Sequence, residues 1–379
     1  MNINLFKKSP AGRLVYAPGE FWAFVPHPLP PRFEWDDTMV TLLSRADIAL
    51  GRLSGLIETI SRPDLLVYSF IRREAVLSSR IDGVQASLSD LLFYEVAQIE
   101  KQPDVKEIYN YVRALEYGLD HLDEFPLSLS FLRELHSVLM RDVNEENTRP
   151  GEFRSSQIWK GPPGCTLEQA IFVPPPVDEM YECLNQMESF LNSDINLPYL
   201  VQAALIHYQL ESIHPFLDGN GRIGRLLILL LFYMKGVFSK PLLYLSAYLE
   251  QNREEYFTYL LEVSRKGNWK QWIHFFLQGV ISEAEDTVQR AHLLLKLHQD
   301  CHKAISRKHR SPLLGQVIDH IFMQPVVMVK SVQEQLNVTF PAANKAIQVL
   351  AGENILTEIT GRKRNKVYIA QDVLTILEE

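Results

Sequence analysis

The sequence predicts a mainly helical protein that ends in a small winged helix-turn-helix domain. Three observations carry this reading. Apolar residues recur at three- and four-residue spacing over most of the first 304 residues, which is the amphipathic helical period. Glycine, proline and β-prone residues are concentrated in one internal stretch, 149–176. After about residue 305 the pattern changes to three short helices and two strands.

The elements follow in order. Residues 20–35 combine four prolines with aromatics, which suits an extended arm. From Asp37 the residues Met39, Leu42, Leu43, Ala46, Leu50, Leu53, Ile57 and Ile60 mark a helix that runs to Pro63. A second helix follows and stops near Gly83, a residue suited to a left-handed terminus. Further helices are predicted over about 86–99, 104–122, 128–142, 177–192, 198–213, 222–235, 250–265 and 268–304. Within 149–176, two β-prone pieces at 157–159 and 170–173 read as a flap-like hairpin. The tail reads as helices over 313–323, 331–336 and 341–350, then strands over 355–360 and 367–370. The boundaries implied are 1–110, 111–304 and 305–379.

Length and charge narrow the function. The chain has 379 residues, 46% hydrophobic, with a formal net charge of -8. That balance excludes a protein whose whole surface binds nucleic acid or anionic membrane. The segment from Ser306 onward carries two net positive charges and the remainder ten negative. Any nucleic-acid role is therefore local to the tail, where Arg362, Lys363, Arg364 and Lys366 lie between the strands and Asn344 and Lys345 on the third helix. A docking surface for a protein remains equally open there. Three separated cysteines form neither a disulfide scaffold nor a zinc spacing. No apolar run reaches the ~20 residues of a membrane span, and a soluble, cytoplasmic protein is expected.

The chemistry is concentrated in H214-P-F-L-D-G-N-G-R-I-G-R225, between two helices. Gly219 and Gly221 let the backbone approach a ligand, and the start of the following helix offers unpaired N–H groups to an anion. Arg222 and Arg225 can fork onto phosphate oxygens. Asp218 suits Mg²⁺, which binds through one or two carboxylates plus substrate phosphates. His214 can take a proton near neutral pH. A hairpin turn is the competing reading of DGNG, but its flanks are helical. The absence of a G-x-x-x-x-G-K-[ST] loop argues against a P-loop NTPase. His292, His298, Cys301 and His302 have no structural-zinc spacing and read as one face of an amphipathic helix.

The segment resembles the Fic (filamentation induced by cAMP) motif, H-x-F-x-[DE]-G-N-G-R-x-x-R, at all eight fixed positions. GEFR, QIWKG and FVPPP resemble that family's flap, and the stretch from LYLSAYLEQNREEY resembles the helix after its core. The resemblance implies a protein adenylyltransferase that moves AMP from ATP to a Ser, Thr or Tyr hydroxyl and releases pyrophosphate. It implies His214 as general base and Asp218 as Mg²⁺ ligand. Gly219, Asn220, Gly221, Arg222, Gly224 and Arg225 would bind phosphate, and Tyr244 and Asn252 would lie near adenine. The flap, about 153–173, would dock a protein substrate, with self-modification and a homodimer left open. Ser78, Asp82 and Gly83 resemble the family's inhibitory helix motif, [S/T]-x-x-x-E-[G/N], with Asp in place of Glu. Transfer of another nucleotide, removal of AMP, and a DNA-binding regulator that uses the core as a nucleotide sensor remain alternatives.

Overall fold

The computed structural model describes residues 1–97, 103–122, 127–143, 149–238 and 240–378. It opens with a hairpin, β1 (Gly12–Ala17) and β2 (Phe21–Pro26), paired antiparallel from Gly12↔Pro26 to Ala17↔Phe21. The extended arm expected over 20–35 is thus strand in its first part. The prolines begin only at Pro26, and Phe21 to Val25 carry no residue that would remove a ladder hydrogen bond.

Helices follow: α1 (Asp37–Thr59), α2 (Asp64–Ile81), α3 (Leu88–Ala97), α4 (Pro103–His121), α5 (Leu129–Leu139), α6 (Val177–Leu191), α7 (Tyr199–Ile213) and α8 (Asn220–Met234). The end of the helix expected over 86–99 lies outside the described residues. The helix expected over 250–265 divides into α9 (Ser246–Gln251) and α10 (Arg253–Lys266), with Asn252 capping both. Then come α11 (Trp269–Lys308), α12 (Pro312–Met323), β3 (Val326–Met328), α13 (Val329–Gln335), α14 (Phe340–Gly352), β4 (Thr357–Glu358), β5 (Val367–Ile369) and α15 (Gln371–Glu378). None of the described helices is long and apolar enough to cross a membrane.

The chain divides into two compact units: Met1–Gly51 with Asn110–Phe238 and Leu243–Glu283, and Arg52–Tyr109 with Ser239–Leu242 and Ala284–Glu379. In the first, α7 and α8 pack on each other, with α5 and α6 beside them and α10 against α7. Every residue of α7 from Ala203 to Ile213 is buried, as expected of a helix enclosed on all sides. That explains the continuous apolar run of α8. Trp272 is fully buried and its indole N–H donates to the Ala204 carbonyl at 2.9 Å.

In the second unit, α12 packs on α2, and α13 on α14. A three-stranded antiparallel sheet has the order β3-β5-β4. Strand β3 and helix α15 were not anticipated: three residues give too little alternation to read, and α15 lies at the chain's end. Arg362, Lys363 and Arg364 are exposed between β4 and β5, as are Asn344 and Lys345 on α14.

Candidate active site

The site is built where α7 ends and α8 begins. Helix α7 terminates at His214, whose backbone is left-handed at φ 50°, a conformation that costs a non-glycine residue on the order of 1–3 kcal/mol. Buried Arg154 holds it there. Its Nε donates to the His214 carbonyl at 3.0 Å, its backbone N–H to the Pro215 carbonyl at 2.8 Å, and its remaining guanidinium nitrogens to the carbonyls of Ser156 and Pro175. One side chain thus fastens the base of the flap to the loop.

The loop turns on itself through Asn220. Its side-chain oxygen accepts from the Phe216 N–H and its amide donates to the Phe216 carbonyl, both at 2.9 Å. Gly219 caps α8 with φ +74° and no side-chain hydrogen bond. A helix leaves its first N–H groups without intrahelical acceptors, and at the start of α8 these belong to the Gly-Asn-Gly turn, an arrangement suited to an anion. A Cβ on Gly219 would lie 3.0 Å from the Met140 sulfur.

Beneath the loop lies His136 of α5, stacked on Phe216 with ring centroids 3.7 Å apart. Its Nδ1 accepts the Gly151 N–H at 3.0 Å, which leaves Nε2 as donor to the Asp218 carbonyl at 3.1 Å. Burial pushes its pKa down to about 4, so the ring is neutral and its tautomer is fixed by its partners. Arg222, also buried, reaches the half-exposed Asp218 carboxylate at 3.0 Å. Gly224 faces α7: a Cβ there would meet the His207 ring at 3.2 Å and Glu211 Oε1 at 3.3 Å. Its place in the motif is explained by close helix packing as well as by any phosphate.

Sequence reasoning missed the charges behind His214. Glu211, one turn earlier, places Oε2 3.8 Å from His214 Nδ1 and 3.1 Å from the ammonium of Lys160 in the flap. Burial opposes the Glu211 charge, but Lys160, His214, His207 and Arg225 outweigh it and hold its pKa at about 2. Burial, followed by Lys160, drives His214 down to about 3, against the opposing pull of Glu211. The carboxylate is therefore ionised and the imidazole neutral, with Nε2 as the nitrogen turned away from Glu211. Lys160 also closes the flap. Its N–H and the Phe172 carbonyl bond at 2.8 Å, and Ile171 and Phe172 donate back to the Lys160 carbonyl at 2.8 and 3.1 Å. The two expected strands reduce to this single bridge, because prolines 162, 163 and 174–176 remove donors on both sides.

A cavity of about 520 Å³ opens beside Glu211. Lys160 and Phe172 of the flap, Tyr208 and Glu211 of α7, and Arg253 and Phe257 of α10 line it. Tyr244 and Asn252 do not. Tyr244 is buried, and the Asn252 amide donates to the Tyr248 carbonyl at 2.8 Å. Ser78 is buried in α2; Asp82 caps that helix, exposed, and Gly83 follows at φ +102°.

Two adjacent family models match the chain: Fic/DOC family N-terminal over residues 40–120 and Fic/DOC family over 126–232. The chain carries both Fic/DOC domains. Its curated relatives include a protein adenylyltransferase Fic from Aedes aegypti, 28% identical over 225 residues, or 59% of this chain and 38% of that protein. One of the same name from Drosophila grimshawi is 30% identical over 156 residues, or 41% and 29%. The chain thus spans well under half the length of these Fic relatives. Among solved structures, a Fic family protein from Desulfovibrio desulfuricans has the same fold, with a TM-score of 0.59 and 18% identity. The match covers 90% of this chain and 98% of that one.

Proposed function

We propose that this Fic protein transfers AMP from ATP to a hydroxyl of a protein. The observation that carries the reading is a neutral histidine at the end of α7 beside an uncapped helix N-terminus. His214 Nε2 takes the proton as the hydroxyl oxygen attacks the α-phosphorus. The bond from that phosphorus to the bridging oxygen breaks, and pyrophosphate departs. The N–H groups of Asn220, Gly221 and Arg222 receive the charge that grows on the α-phosphate, a donor set aligned before the reaction begins. Arg222 and Arg225 hold the outer phosphates, and the cavity beside Glu211 receives the nucleoside, with Phe257 available to the base.

The donor set fits Mg²⁺. Asp218 is a hard, solvent-accessible carboxylate at the loop, and such an ion takes few protein ligands beside phosphate oxygens. Bound there, it would neutralise phosphate charge. The flap docks the substrate by backbone pairing, which needs little side-chain identity. We assign Asp82 an inhibitory role, on the motif it shares with Ser78 and Gly83, and the tail, with its exposed basic turn and helix order, the role of a winged helix that recruits DNA or a protein.

The test is incubation of the purified protein with α-labelled ATP, Mg²⁺ and a cell extract. A covalently labelled protein, the enzyme itself included, is expected. Label transferred equally well from UTP or GTP would reassign the nucleotide. Absence of labelled protein, with nucleotide bound, would favour the sensor reading.

A further inference from the structure

Far along the chain from the Fic motif, in the second unit, three metal-ligating side chains converge. His298 and His302 stand one turn apart on α11, and their Nε2 atoms lie 2.7 and 2.9 Å from the same oxygen, Asp319 Oδ1 of α12. All three atoms fall within 4.8 Å of one another. We propose that His298, His302 and Asp319 form a binding site for a late first-row divalent cation of the zinc, cobalt or nickel type, with water completing the coordination.

The geometry supports three-point ligation. An ion would take the place of these two hydrogen bonds: with the ring hydrogens moved to Nδ1, both Nε2 atoms, which already face Asp319 Oδ1, would present lone pairs to it. Metal–ligand distances of about 2.0–2.2 Å would require the two contacts with Oδ1 to widen by roughly half an ångström, within the reach of side-chain rotation. Helix register fixes the histidines, since residues four apart share a face. His298 is held edge-on by Phe322, with centroids 4.9 Å apart at 88°. The other carboxylate oxygen of Asp319 is engaged by the Arg62 guanidinium, which orients Oδ1 as an outer-shell partner orients a ligand.

The chemistry selects the ion. Two imidazoles and one carboxylate suit zinc, cobalt and nickel, whereas magnesium and calcium favour oxygen ligands. The side chains are 19%, 36% and 22% exposed for His298, His302 and Asp319, open enough for an ion to enter. The spacing within the sequence excluded a zinc site because the third ligand comes from a different helix. An ion here would tie α12, the first helix of the tail domain, to α11 across residues 309–311.

Full-length protein stripped with chelator should be titrated with zinc, cobalt or nickel chloride and, separately, magnesium chloride. Thermal unfolding and the visible absorption of bound cobalt would be followed. At about 100-fold excess over Kd, zinc should raise the midpoint by on the order of 5 °C. Cobalt should show the intense visible bands of a low-coordinate site, and magnesium should do neither. His302→Ala and Asp319→Asn should each abolish both signals, and Arg62→Gln should weaken binding about 10- to 100-fold. No shift with any of the three metals would overturn the site. So would an equal shift in His302→Ala, which would place the metal elsewhere.

Discussion

Each unit of the protein contains a cluster of histidine, carboxylate and cation, and the two clusters behave in opposite ways. In the first, His214, Glu211 and Lys160 meet with the carboxylate buried, the imidazole 17% exposed, and no hydrogen bond between the two at 3.8 Å. In the second, His298, His302, Asp319 and Arg62 meet in partial exposure, and both imidazoles bond the carboxylate directly. The same residue types therefore serve different ends. A desolvated ring with no hydrogen bond to its carboxylate is left unprotonated, with a lone pair that can accept a proton from an incoming hydroxyl. Direct convergence on one oxygen leaves ligand atoms already gathered for an ion.

The largest test of that contrast is His214→Ala. Transfer should fall about 10²- to 10⁴-fold, with ATP affinity nearly unchanged, because the cradle of backbone N–H groups on α8 is intact. His298→Ala should leave the rate of transfer within twofold. Retention of transfer within a few-fold of wild type in His214→Ala would remove the general-base assignment.

Acid should separate the clusters next. His136 and His207 are buried and His214 is largely so, and their pKa values are lowered to about 4, 4 and 3, in each case chiefly by desolvation. The unfolded chain binds these protons near pH 6.5 and the native first unit does not. Stability is therefore fully present above about pH 6.5 and declines as pH falls toward 4, by roughly 1.4 kcal/mol per pH unit per histidine. Urea unfolding of the first unit at pH 7 and pH 5 should differ by several kcal/mol. His136→Gln should flatten that slope by about one proton. An unchanged slope would mean that His136 is protonated in the native state.

A finer test lies within the first cluster. Glu211→Gln removes the charge that would stabilise His214 once it holds a proton, so kcat should fall about tenfold while KM for ATP changes little. Leaving Lys160 unpaired would destabilise the fold, and the Lys160→Met/Glu211→Gln double variant should restore stability without restoring kcat. A double variant with wild-type kcat would show that Glu211 only anchors the flap. In wild type, the rate should stay level from pH 8 down to about 5, since a base with a pKa near 3 remains unprotonated throughout. A fall through pH 6.5 would contradict the burial of His214.

What the sequence revealed of the site follows from distance along the chain. The motif from His214 to Arg225 is contiguous, so its turn, its helix N-terminus and its cations could be read together. Arg154, Lys160 and His136 act on the same loop from 50 to 80 residues away, and no local pattern links them. His298 and His302 could be paired by helical register, but Asp319 could not be added without knowing that α12 folds back on α11. The first hairpin was hidden by composition, since the prolines after residue 25 dominated the reading of 20–35. The helices were legible because their apolar spacing persists over many turns, whereas β3 and β4, at three and two residues, are defined by their partners alone.

The smallest expected effect concerns Asp82. The proposed inhibition is competition, because one guanidinium cannot pair fully with both a carboxylate and a γ-phosphate. Asp is one methylene shorter than the Glu of the motif it resembles, so inhibition should be weak and basal transfer measurable. Asp82→Gly should then raise transfer a few-fold and Asp82→Glu should lower it by a similar factor. The competing account is local: Asp82 caps α2 at the end where the helix dipole disfavours an anion, so its substitutions would change stability alone. Asp82→Asn separates the two. It keeps the size of the cap and removes the charge, so under competition it should activate like Asp82→Gly. Under the local account it should raise the melting temperature and leave the rate of transfer unchanged. Equal transfer rates in wild type and all three variants would end the inhibitory assignment.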